Sequence, residues 1–292
     1  MAAGEKPSGR GSGGYALMTS APTVSVITIS FNDLDGLKRT VDSVRAQRYG
    51  GRIEHIVIDG GSGDDVVDYL SGCEPGFTYW QSEPDGGRYD AMNQGIAHAS
   101  GDLLWFMHSR DRFADPDAVA QVVQAISGHG SVRDLWGHGL QNGVSPDGRR
   151  VGPPVGYMPF SLRKFLVRGR IVPHQASFFG ASLVSKLGGY DLDFGIAADQ
   201  FFIFQAALLR EPITIPRMVS EFDMTGAGSL RQFNEYHRDL RRMCDLHGHY
   251  PLGGRRTSLA CMRGWEYMAR AKFAAARTVG SLRTQLGRGV ST

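Results

Sequence analysis

The chain has 292 residues, 41% of them hydrophobic and 21% charged, which excludes disorder throughout and leaves room for one large domain or two modest ones. The net charge of +3 hides an asymmetry, because residues 1–230 carry −5 and residues 231–292, with 12 basic and 4 acidic side chains, carry +8. No apolar run reaches the roughly 18 residues that a transmembrane helix needs. Three widely spaced cysteines build neither a disulfide framework nor a zinc pattern, which favours a reducing compartment.

The predicted elements begin after a tail, residues 1–22, whose Gly- and Ser-rich start lacks the apolar segment of a signal peptide and is expected to be disordered. Apolar and β-branched runs predict strands at residues 24–30, 53–58, 77–80, 103–107 and 176–179. Helical spacing of apolar residues predicts helices that include 89–100, 160–167 and 199–209. This alternation indicates an α/β domain over 23–230 with a largely parallel sheet. A Gly226–Ser229 loop precedes a basic helical extension over 231–292, and Ser229 is expected to cap its first helix.

Ligands of such sheets bind beyond the carboxyl ends of the strands, so the polar residues at those ends are candidates for a site. They are Ser30-Phe31-Asn32, Asp59-Gly60-Gly61-Ser62 and His108-Ser109-Arg110-Asp111. The chain lacks G-x-G-x-x-G after the first strand, a phosphate-binding G-x-x-x-x-G-K-[ST] loop and a G-x-S-x-G elbow. These absences disfavour a dinucleotide-binding enzyme, a P-loop NTPase and an α/β-hydrolase.

Two acidic candidates lie at the end of the second predicted strand and in the loop before the helix at 89–100. Asp59 can accept hydrogen bonds from a base or a ribose, or it can simply cap the turn that follows, and the residues alone leave these two roles equally open. Asp85 is by default a turn residue in its Gly-rich loop, whereas Arg88 is better placed to meet a phosphate.

Two further carboxylates suggest chemistry. Asp111 follows a buried strand and offers a hard oxygen ligand for Mg²⁺ or Mn²⁺, which His108 could join. Asp199 begins a strongly apolar helix, where a raised pKa would suit a general base. The alternative for Asp199 is an ordinary helix cap.

Several motifs together resemble family 2 glycosyltransferases with the GT-A fold, over about residues 24–229. They are Val26–Asn32, Ile58–Ser62, Glu83–Gly87, the Y-D-A-M-N-x-G stretch of Tyr89–Gly95, His174–Phe179, Gly188–Asp191 and Ala197–Asp199. The Y-D-A-M-N-x-G and H-Q-A-x-F stretches resemble a bacterial branch that decorates glycolipids and extracellular polysaccharides.

The resemblance implies roles for individual residues. Asp199 would be the catalytic base of an inverting reaction, and Asp111, as the last residue of a D-x-D-like motif, would hold a divalent cation. His174 and Gln175 would lie near the diphosphate or the acceptor. The nucleotide would contact Ser30, Phe31, Asn32, Asp59, Asp85, Arg88, Asn93, Ser109 and Arg110.

One residue departs from the family pattern. Arg110 stands where an acidic or small residue usually precedes the last Asp. Its guanidinium could neutralise diphosphate charge, accompany a weak dependence on metal, or point outward.

The basic extension has two interpretations. Its cations, interleaved with Trp265, Tyr267 and Phe273, could dock on anionic lipid, or its helices could present a solvated face while the apolar side packs on the catalytic domain. Nucleic-acid binding is disfavoured because residues 1–230 are acidic and no matching motif is present.

These observations predict an inverting glycosyltransferase that uses a UDP-, GDP- or dTDP-linked sugar and a hydroxyl of a glycolipid or polysaccharide precursor. It would be cytoplasmic, with peripheral contact to the inner face of the membrane. The alternative is a non-catalytic nucleotide-sugar-binding or scaffold subunit that keeps the GT-A fold.

Overall fold

The computed structural model describes residues 21–225 and 233–288, with the side chains of 233–234 and 273–288 left aside. Most of the predicted N-terminal tail, the Gly226–Ser229 loop and the Ser229 cap lie outside the described residues. So do the side chains of Arg231, Phe273, Arg277, Arg283 and Arg288.

Nine strands form one sheet in the described part of the chain. They are β1 (Val24–Ser30), β2 (Ile53–Asp59), β3 (Tyr79–Ser82), β4 (Leu103–Phe106), β5 (Arg112–Phe113), β6 (Trp136–Val144), β7 (Arg150–Val155), β8 (Ser177–Gly180) and β9 (Ile213–Asp223). Their order is β3-β2-β1-β4-β8-β6-β9-β5, and β7 pairs with β6. All five strands predicted from the sequence are present, with β3 and β8 beginning one or two residues later.

The sheet is mixed, so the prediction of a mostly parallel sheet holds only for one half. Strands β3, β2, β1 and β4 pair in parallel. Beyond β4, the pairs β4–β8, β6–β8, β6–β7 and β5–β9 are antiparallel, and only β6–β9 is parallel. The directions of these strands depend on pairing between distant segments, and the prolines of β7 and β9 also lower the strand propensity of those two segments.

Nine α-helices connect and flank the strands in the described ranges. They are α1 (Leu34–Arg45), α2 (Asp64–Ser71), α3 (Arg88–His98), α4 (Ala118–Ile126), α5 (Leu162–Arg168), α6 (Ala181–Leu187), α7 (Ala198–Leu209), α8 (Phe233–His247) and α9 (Arg255–Arg288). Helix α3 packs closely on β1, because Gly95 leaves the space in which a Cβ would lie 2.4 Å from the Ile27 side chain. The loop before α3 is therefore held at the carboxyl end of the sheet.

Hydrophobic clusters cover both faces of the sheet. One joins α3, α5 and α7 to residues such as Ile27, Phe106 and Trp136, and another joins α4 to Val26 and Trp105. Apolar residues of α8 and α9 belong to the first cluster: Tyr236, Leu240, Met243, Cys244, Leu259 and Met262. This supports the interpretation in which the apolar side of the extension packs on the preceding domain, while the predicted boundary at residue 231 stays a prediction.

One stretch, Leu192–Leu209, is long and apolar enough to cross a membrane by length and composition. It consists of a 3-10 segment, Leu192–Ala197, and α7, and it is kinked at Gly195. Residues 201–204 of α7 are buried in the hydrophobic cluster, so a place in the protein core accounts for the apolar composition.

Candidate functional site

The carboxyl end of β2 is built around the buried Asp59. Its Oδ2 accepts hydrogen bonds from the backbone N–H groups of Gly61 (3.2 Å) and Ser62 (2.8 Å) and from Ser82 Oγ (2.7 Å), and its Oδ1 accepts from Ser62 Oγ (2.6 Å). Four internal donors thus occupy a side chain that has no exposed surface. Of the two roles left open by the sequence, Asp59 performs the capping role in this structure.

This turn also fixes the end of β1. The backbone N–H of Asn32, a residue with a φ of 51°, donates to Ser62 Oγ at 2.7 Å, and the backbone N–H of Gly60 donates to Ser30 O at 2.9 Å. Ser30 Oγ is buried and has no hydrogen-bond partner. The strand end is therefore held by backbone contacts and leaves one polar atom unused.

An aromatic side chain stands exposed at this edge. Phe31 is 65% exposed, and a Cβ built on Gly60 would lie 3.1 Å from its ring and 3.0 Å from Asp85 Oδ2. A flat group can therefore approach the backbone between the Phe31 ring and the Asp85 carboxylate. Asp85 also accepts from the Gly87 N–H at 2.7 Å, so it shapes the loop before α3 as well.

An open cleft of about 300 Å³ lies between the start of α3 and the 3-10 segment at Leu192–Ala197. Its lining residues are Gly86, Gly87, Arg88, Tyr89, Asp90, Leu192, Gly195 and Ile196. Arg88 is exposed, and its positive charge acts to lower the pKa values of Asp111, His108 and His174. A cation at this position attracts anionic groups into the cleft.

Asn93, which is predicted to contact the nucleotide, forms hydrogen bonds within the chain in this structure. Its amide nitrogen donates to Tyr190 O at 2.9 Å, and its amide oxygen accepts from the Tyr190 N–H at 2.7 Å. Both ends of the side chain are thus used to clamp the Gly189–Tyr190 turn to α3, and Asn93 acts as a structural residue.

The side chains of Ser109 and Arg110 also form hydrogen bonds within the protein. Arg110, with a φ of 77°, donates from Nε and Nη2 to the two oxygens of Asp33 at 2.7 and 3.0 Å, and from Nη1 to Thr225 Oγ1 at 3.0 Å. Ser109 Oγ donates to Asp33 Oδ2 at 2.6 Å. Burial raises the pKa of Asp33, but the hydrogen bonds from Arg110 and Ser109 outweigh it and leave the pKa below its usual value. Of the alternatives for Arg110, the structure favours a side chain turned away towards α1.

Asp111 is only 3% exposed and lies next to a second carboxylate. Its Oδ1 accepts from the Asp223 N–H at 3.0 Å, and the buried Asp223 side chain accepts from the Thr225 N–H and hydroxyl. Burial raises the pKa of Asp111 well above its usual value, and the charge of Asp223 adds to that effect. Two neighbouring buried carboxylates are suited to a divalent cation.

The donor set is small. Among residues 21–225 and 233–288, no group of three or more His, Cys, Asp and Glu side chains could hold a metal. Asp111 and Asp223 would therefore supply two hard oxygen ligands, and a bound diphosphate and water would complete the shell, as Mg²⁺ sites commonly require. His108, which sequence analysis considered as a further ligand, instead approaches Gln175, with 3.3 Å between its Nδ1 and the Gln175 Nε2.

Buried polar rings connect Asp111 to the start of α7. His174 Nε2 and Tyr190 Oη lie 2.7 Å apart, and the rings of His108 and His174 are 5.6 Å apart. Burial lowers the pKa of His174 to about 4, and the nearby Asp199 opposes part of this shift. His108 Nε2 and His174 Nδ1 are buried without a hydrogen-bond partner. These rings are neutral, with acceptor or donor capacity still unused.

Asp199 is partly exposed at the first turn of α7, and its Oδ1 accepts from the Gln200 N–H at 2.7 Å. Its charge acts on both His174 and Tyr190, which places the carboxylate beside that pair. The structure thus brings Asp111, Gln175, His174 and Asp199 to one end of the sheet.

Sequence reasoning missed three residues of this region. Asp33 holds Arg110, Tyr190 holds His174, and the backbone N–H of Asp223 donates to Asp111. Tyr190 lies within the Gly188–Asp191 motif, which gave a partial signal, whereas Asp33 was not among the candidate residues. Asp223 gave none, because it is 112 residues from Asp111 along the chain.

Comparisons with known proteins agree with this geometry. Residues 25–181 match the model of Glycosyl transferase family 2. An uncharacterized glycosyltransferase of Mycobacterium tuberculosis is 71% identical over 252 residues, which cover 86% of this chain and 94% of the relative. A PGL/p-HBAD biosynthesis glycosyltransferase of Mycobacterium bovis is 30% identical over 186 residues, covering 63% of this chain and 69% of the relative.

Solved structures show the same fold. TarS 1-349 of S. aureus in complex with UDP-GlcNAc aligns with a TM-score of 0.59 at 15% identity, over 76% of this chain and 66% of that one, so this chain spans slightly less than two thirds of it. The mannosyltransferase PcManGT of Pyrobaculum calidifontis, in complex with GDP-Man and Mn²⁺, aligns with a TM-score of 0.57 at 18% identity, over 91% of this chain and 81% of that one. The predicted α/β GT-A fold is confirmed, and this chain is an enzyme that belongs to glycosyltransferase family 2.

Proposed function

We propose that the protein is an inverting glycosyltransferase that moves a sugar from a nucleoside diphosphate to a hydroxyl of a glycolipid or polysaccharide precursor. The observation that carries this proposal is the convergence of Asp111, Gln175, His174 and Asp199 at the carboxyl end of the sheet. At one end of this group of residues, Asp111 and its neighbour Asp223 are suited to a cation and a diphosphate. At the other end, the partly exposed carboxylate of Asp199 is suited to a proton transfer.

The donor occupies the edge formed by β1, β2 and α3. The exposed Phe31 ring stacks on the base, and Asp85 accepts hydrogen bonds from it or from the ribose. Arg88 meets the diphosphate, since it is exposed and its charge already acts on Asp111 and His174. Asp59 fixes the conformation of the Gly60–Ser62 turn and affects donor binding only through that turn.

Asp199 acts as the general base. An acceptor hydroxyl beside Asp199 loses its proton to the carboxylate as its oxygen bonds to the anomeric carbon, and the bond from that carbon to the diphosphate oxygen breaks on the opposite face. The configuration at the anomeric carbon is thereby inverted. His174 and Tyr190 hold the neighbouring wall in place through their 2.7 Å hydrogen bond.

A divalent cation would be held by Asp111 and Asp223. When bound, it neutralises the charge that develops on the leaving diphosphate. The complex of a structural neighbour with GDP-Man and Mn²⁺ supports this expectation. Arg110 has no part in it, because its guanidinium is occupied by Asp33.

Two observations support a lipid-linked or glycan acceptor. Leu192 and Ile196 are exposed at the cleft beside Asp199, where they can contact an apolar or carbohydrate group. A relative named for PGL/p-HBAD biosynthesis supports a glycolipid. Free cysteines at positions 73, 244 and 261 agree with a reducing, cytoplasmic location at the inner face of the membrane.

Replacement of Asp199 by Asn tests the base assignment. We expect transfer to fall by about 10²–10⁴-fold, the usual contribution of a general base, while the nucleoside diphosphate still raises the melting temperature. Asp193→Asn, an exposed change six residues earlier, is the matched control and should transfer normally. Normal transfer by the Asp199→Asn variant would show that another group is the base.

A melting-temperature panel identifies the donor. UDP, GDP and dTDP are each added with and without Mn²⁺, and one nucleotide is expected to stabilise the protein more than the others, with a larger shift when Mn²⁺ is present. If none of the three raises the melting temperature, the proposed donor site is wrong.

A further inference from the structure

Helices α5 and α9 enclose a second cleft, of about 160 Å³, away from the residues proposed for catalysis. We call it the basic cleft; its lining residues are Arg163, Lys164, Val167, Arg168, Leu252, Cys261 and Trp265. The Arg168 guanidinium lies over the Trp265 ring, 4.6 Å from its centroid. Cations and an aromatic ring thus share one small surface.

The charge of this surface is uncompensated. Residues 148–190 contain no Asp or Glu. Among the residues that the structure describes, Arg163, Lys164, Arg168 and Arg170 form no ion pair with a carboxylate, whereas Arg48, Arg110, Arg112, Arg133, Arg241 and Arg255 each do. Unpaired cations concentrated on one surface attract an anionic partner.

Apolar side chains accompany these cations. Ile171, next to Arg170, is 50% exposed, and Arg170 lies over the Tyr157 ring at 5.8 Å. On α9, Cys261, Trp265, Met268 and Lys272 follow one another at spacings of three and four residues and therefore lie on one helix face. Met268 is 44% exposed, so this face is apolar at its centre and basic at its end.

This combination suits a membrane surface better than a small anion. A site for free phosphate would hold its ligand with buried polar groups, whereas these cations are on long side chains and those of Arg163 and Arg168 are exposed. Lys and Arg that surround a Trp and exposed Met and Ile side chains match the headgroup region of a bilayer, where cations meet phosphates and the apolar groups enter the acyl boundary.

We propose that the basic cleft and the Trp265–Lys272 face of α9 dock on anionic phospholipid. This surface would hold the enzyme at the membrane that contains its acceptor. That role depends on the proposed function, whereas the binding to lipid does not. The contact itself depends on residues that have no part in donor binding or catalysis. Each cation near an anionic surface increases the affinity about fivefold, so three cations account for about 100-fold.

Vesicle co-sedimentation of the full chain tests the proposal. We expect binding to phosphatidylcholine vesicles that contain phosphatidylglycerol, weaker binding at high salt, and little binding to phosphatidylcholine alone. The variant Arg163→Gln/Lys164→Gln/Arg168→Gln should bind about 100-fold more weakly. The matched control, Lys38→Gln/Arg39→Gln/Arg217→Gln, removes the same charge elsewhere and should bind as the wild type does.

Two further measurements keep the result interpretable. The triple variant should keep its melting temperature and its shift with the nucleoside diphosphate, which separates loss of docking from loss of the proposed enzyme site. If it fails to fold, Met268→Ser/Lys272→Gln, on an exposed part of α9, should also weaken vesicle binding. Wild-type binding by the folded triple variant, equal binding to both vesicle types, or displacement by inorganic phosphate at constant ionic strength would overturn the proposal.

Discussion

The two ends of the candidate site differ in how their polar groups are satisfied. In the Asp59 cluster, which comprises Asp59, Ser62 and Ser82, the carboxylate accepts four hydrogen bonds from the chain itself. In the Asp111 cluster, which comprises Asp111, Asp223, His108 and His174, two buried carboxylates are neighbours and two ring nitrogens have no hydrogen-bond partner. The hydrogen bonds of the first cluster are satisfied within the chain, whereas the second cluster has charged and polar groups that remain available to a ligand.

This difference indicates that stability and activity are separated along one edge of the sheet. A polar cluster whose hydrogen bonds are all made internally stabilises the fold, because removal of either side of a bond leaves the other side unpaired. Buried carboxylates close to each other cost stability and persist where they serve a reaction. Substitutions in the two clusters should therefore have opposite consequences.

Asp111→Asn should have the largest effect on activity. We expect transfer to fall by about 10²–10³-fold, as for the loss of a group that stabilises developing charge, while the melting temperature stays equal or rises because a buried charge next to Asp223 has been removed. Steady-state kinetics and thermal unfolding measure both effects. Full activity with reduced stability would place Asp111 with the Asp59 cluster instead.

Asp59→Asn should mainly cost stability. The Asn amide NH₂ would face N–H and O–H donors in either orientation, so the free energy of unfolding should fall by about 2–3 kcal/mol. Urea unfolding measures this change, with the exposed Asp64→Asn as control, expected to change stability by no more than about 1 kcal/mol. Unchanged stability of Asp59→Asn would refute the structural role of the cluster.

Acid should weaken both regions through their buried histidines. Burial lowers the pKa of His55, four residues before Asp59 on β2, to about 3 and that of His174 to about 4, whereas both titrate near 6.5 when unfolded. Between these values the unfolded chain binds more protons. Stability is therefore complete above pH 6.5 and falls on acidification by about 1.4 kcal/mol per pH unit for each histidine.

Urea unfolding between pH 7.5 and about 5 checks this slope. His55→Gln keeps a hydrogen-bonding partner for Thr28. It should reduce the slope by the contribution of one titrating group. A His55→Gln variant with the same slope as the wild type would show that the His55 ring is not held neutral.

Arg110→Ala should have the smallest effect. The Arg110 side chain is 44% exposed, so loss of its pair with Asp33 should cost no more than about 1 kcal/mol of stability, and the KM for the donor should change less than about fivefold. Because alanine keeps a Cβ, the unusual φ is unchanged in this comparison. A large rise in KM would instead assign the guanidinium to the diphosphate and add it to the Asp111 cluster.

Much of the first half could be predicted because its signals are local. A window of about a dozen residues is enough to recognise the apolar runs of β1, β2 and β4 and the 3.6-residue spacing of apolar residues in α1 and α4. The antiparallel half was less accessible. In β9, Pro216 falls between Thr214 and Met218, where the register with β6 shifts, so a local reading counts it against a strand.

The sequence by itself determined the parallel core, the residues at its strand ends and the family that their order resembles, because periodicity and motifs are properties of neighbouring residues. Only the tertiary structure decided which of those residues are free to act. Asp59 and Asn93 are consumed by internal hydrogen bonds, Arg110 is drawn to Asp33, and Asp223 meets Asp111 across 112 residues. These outcomes depend on long-range pairing of strands and on burial, and no local pattern encodes them.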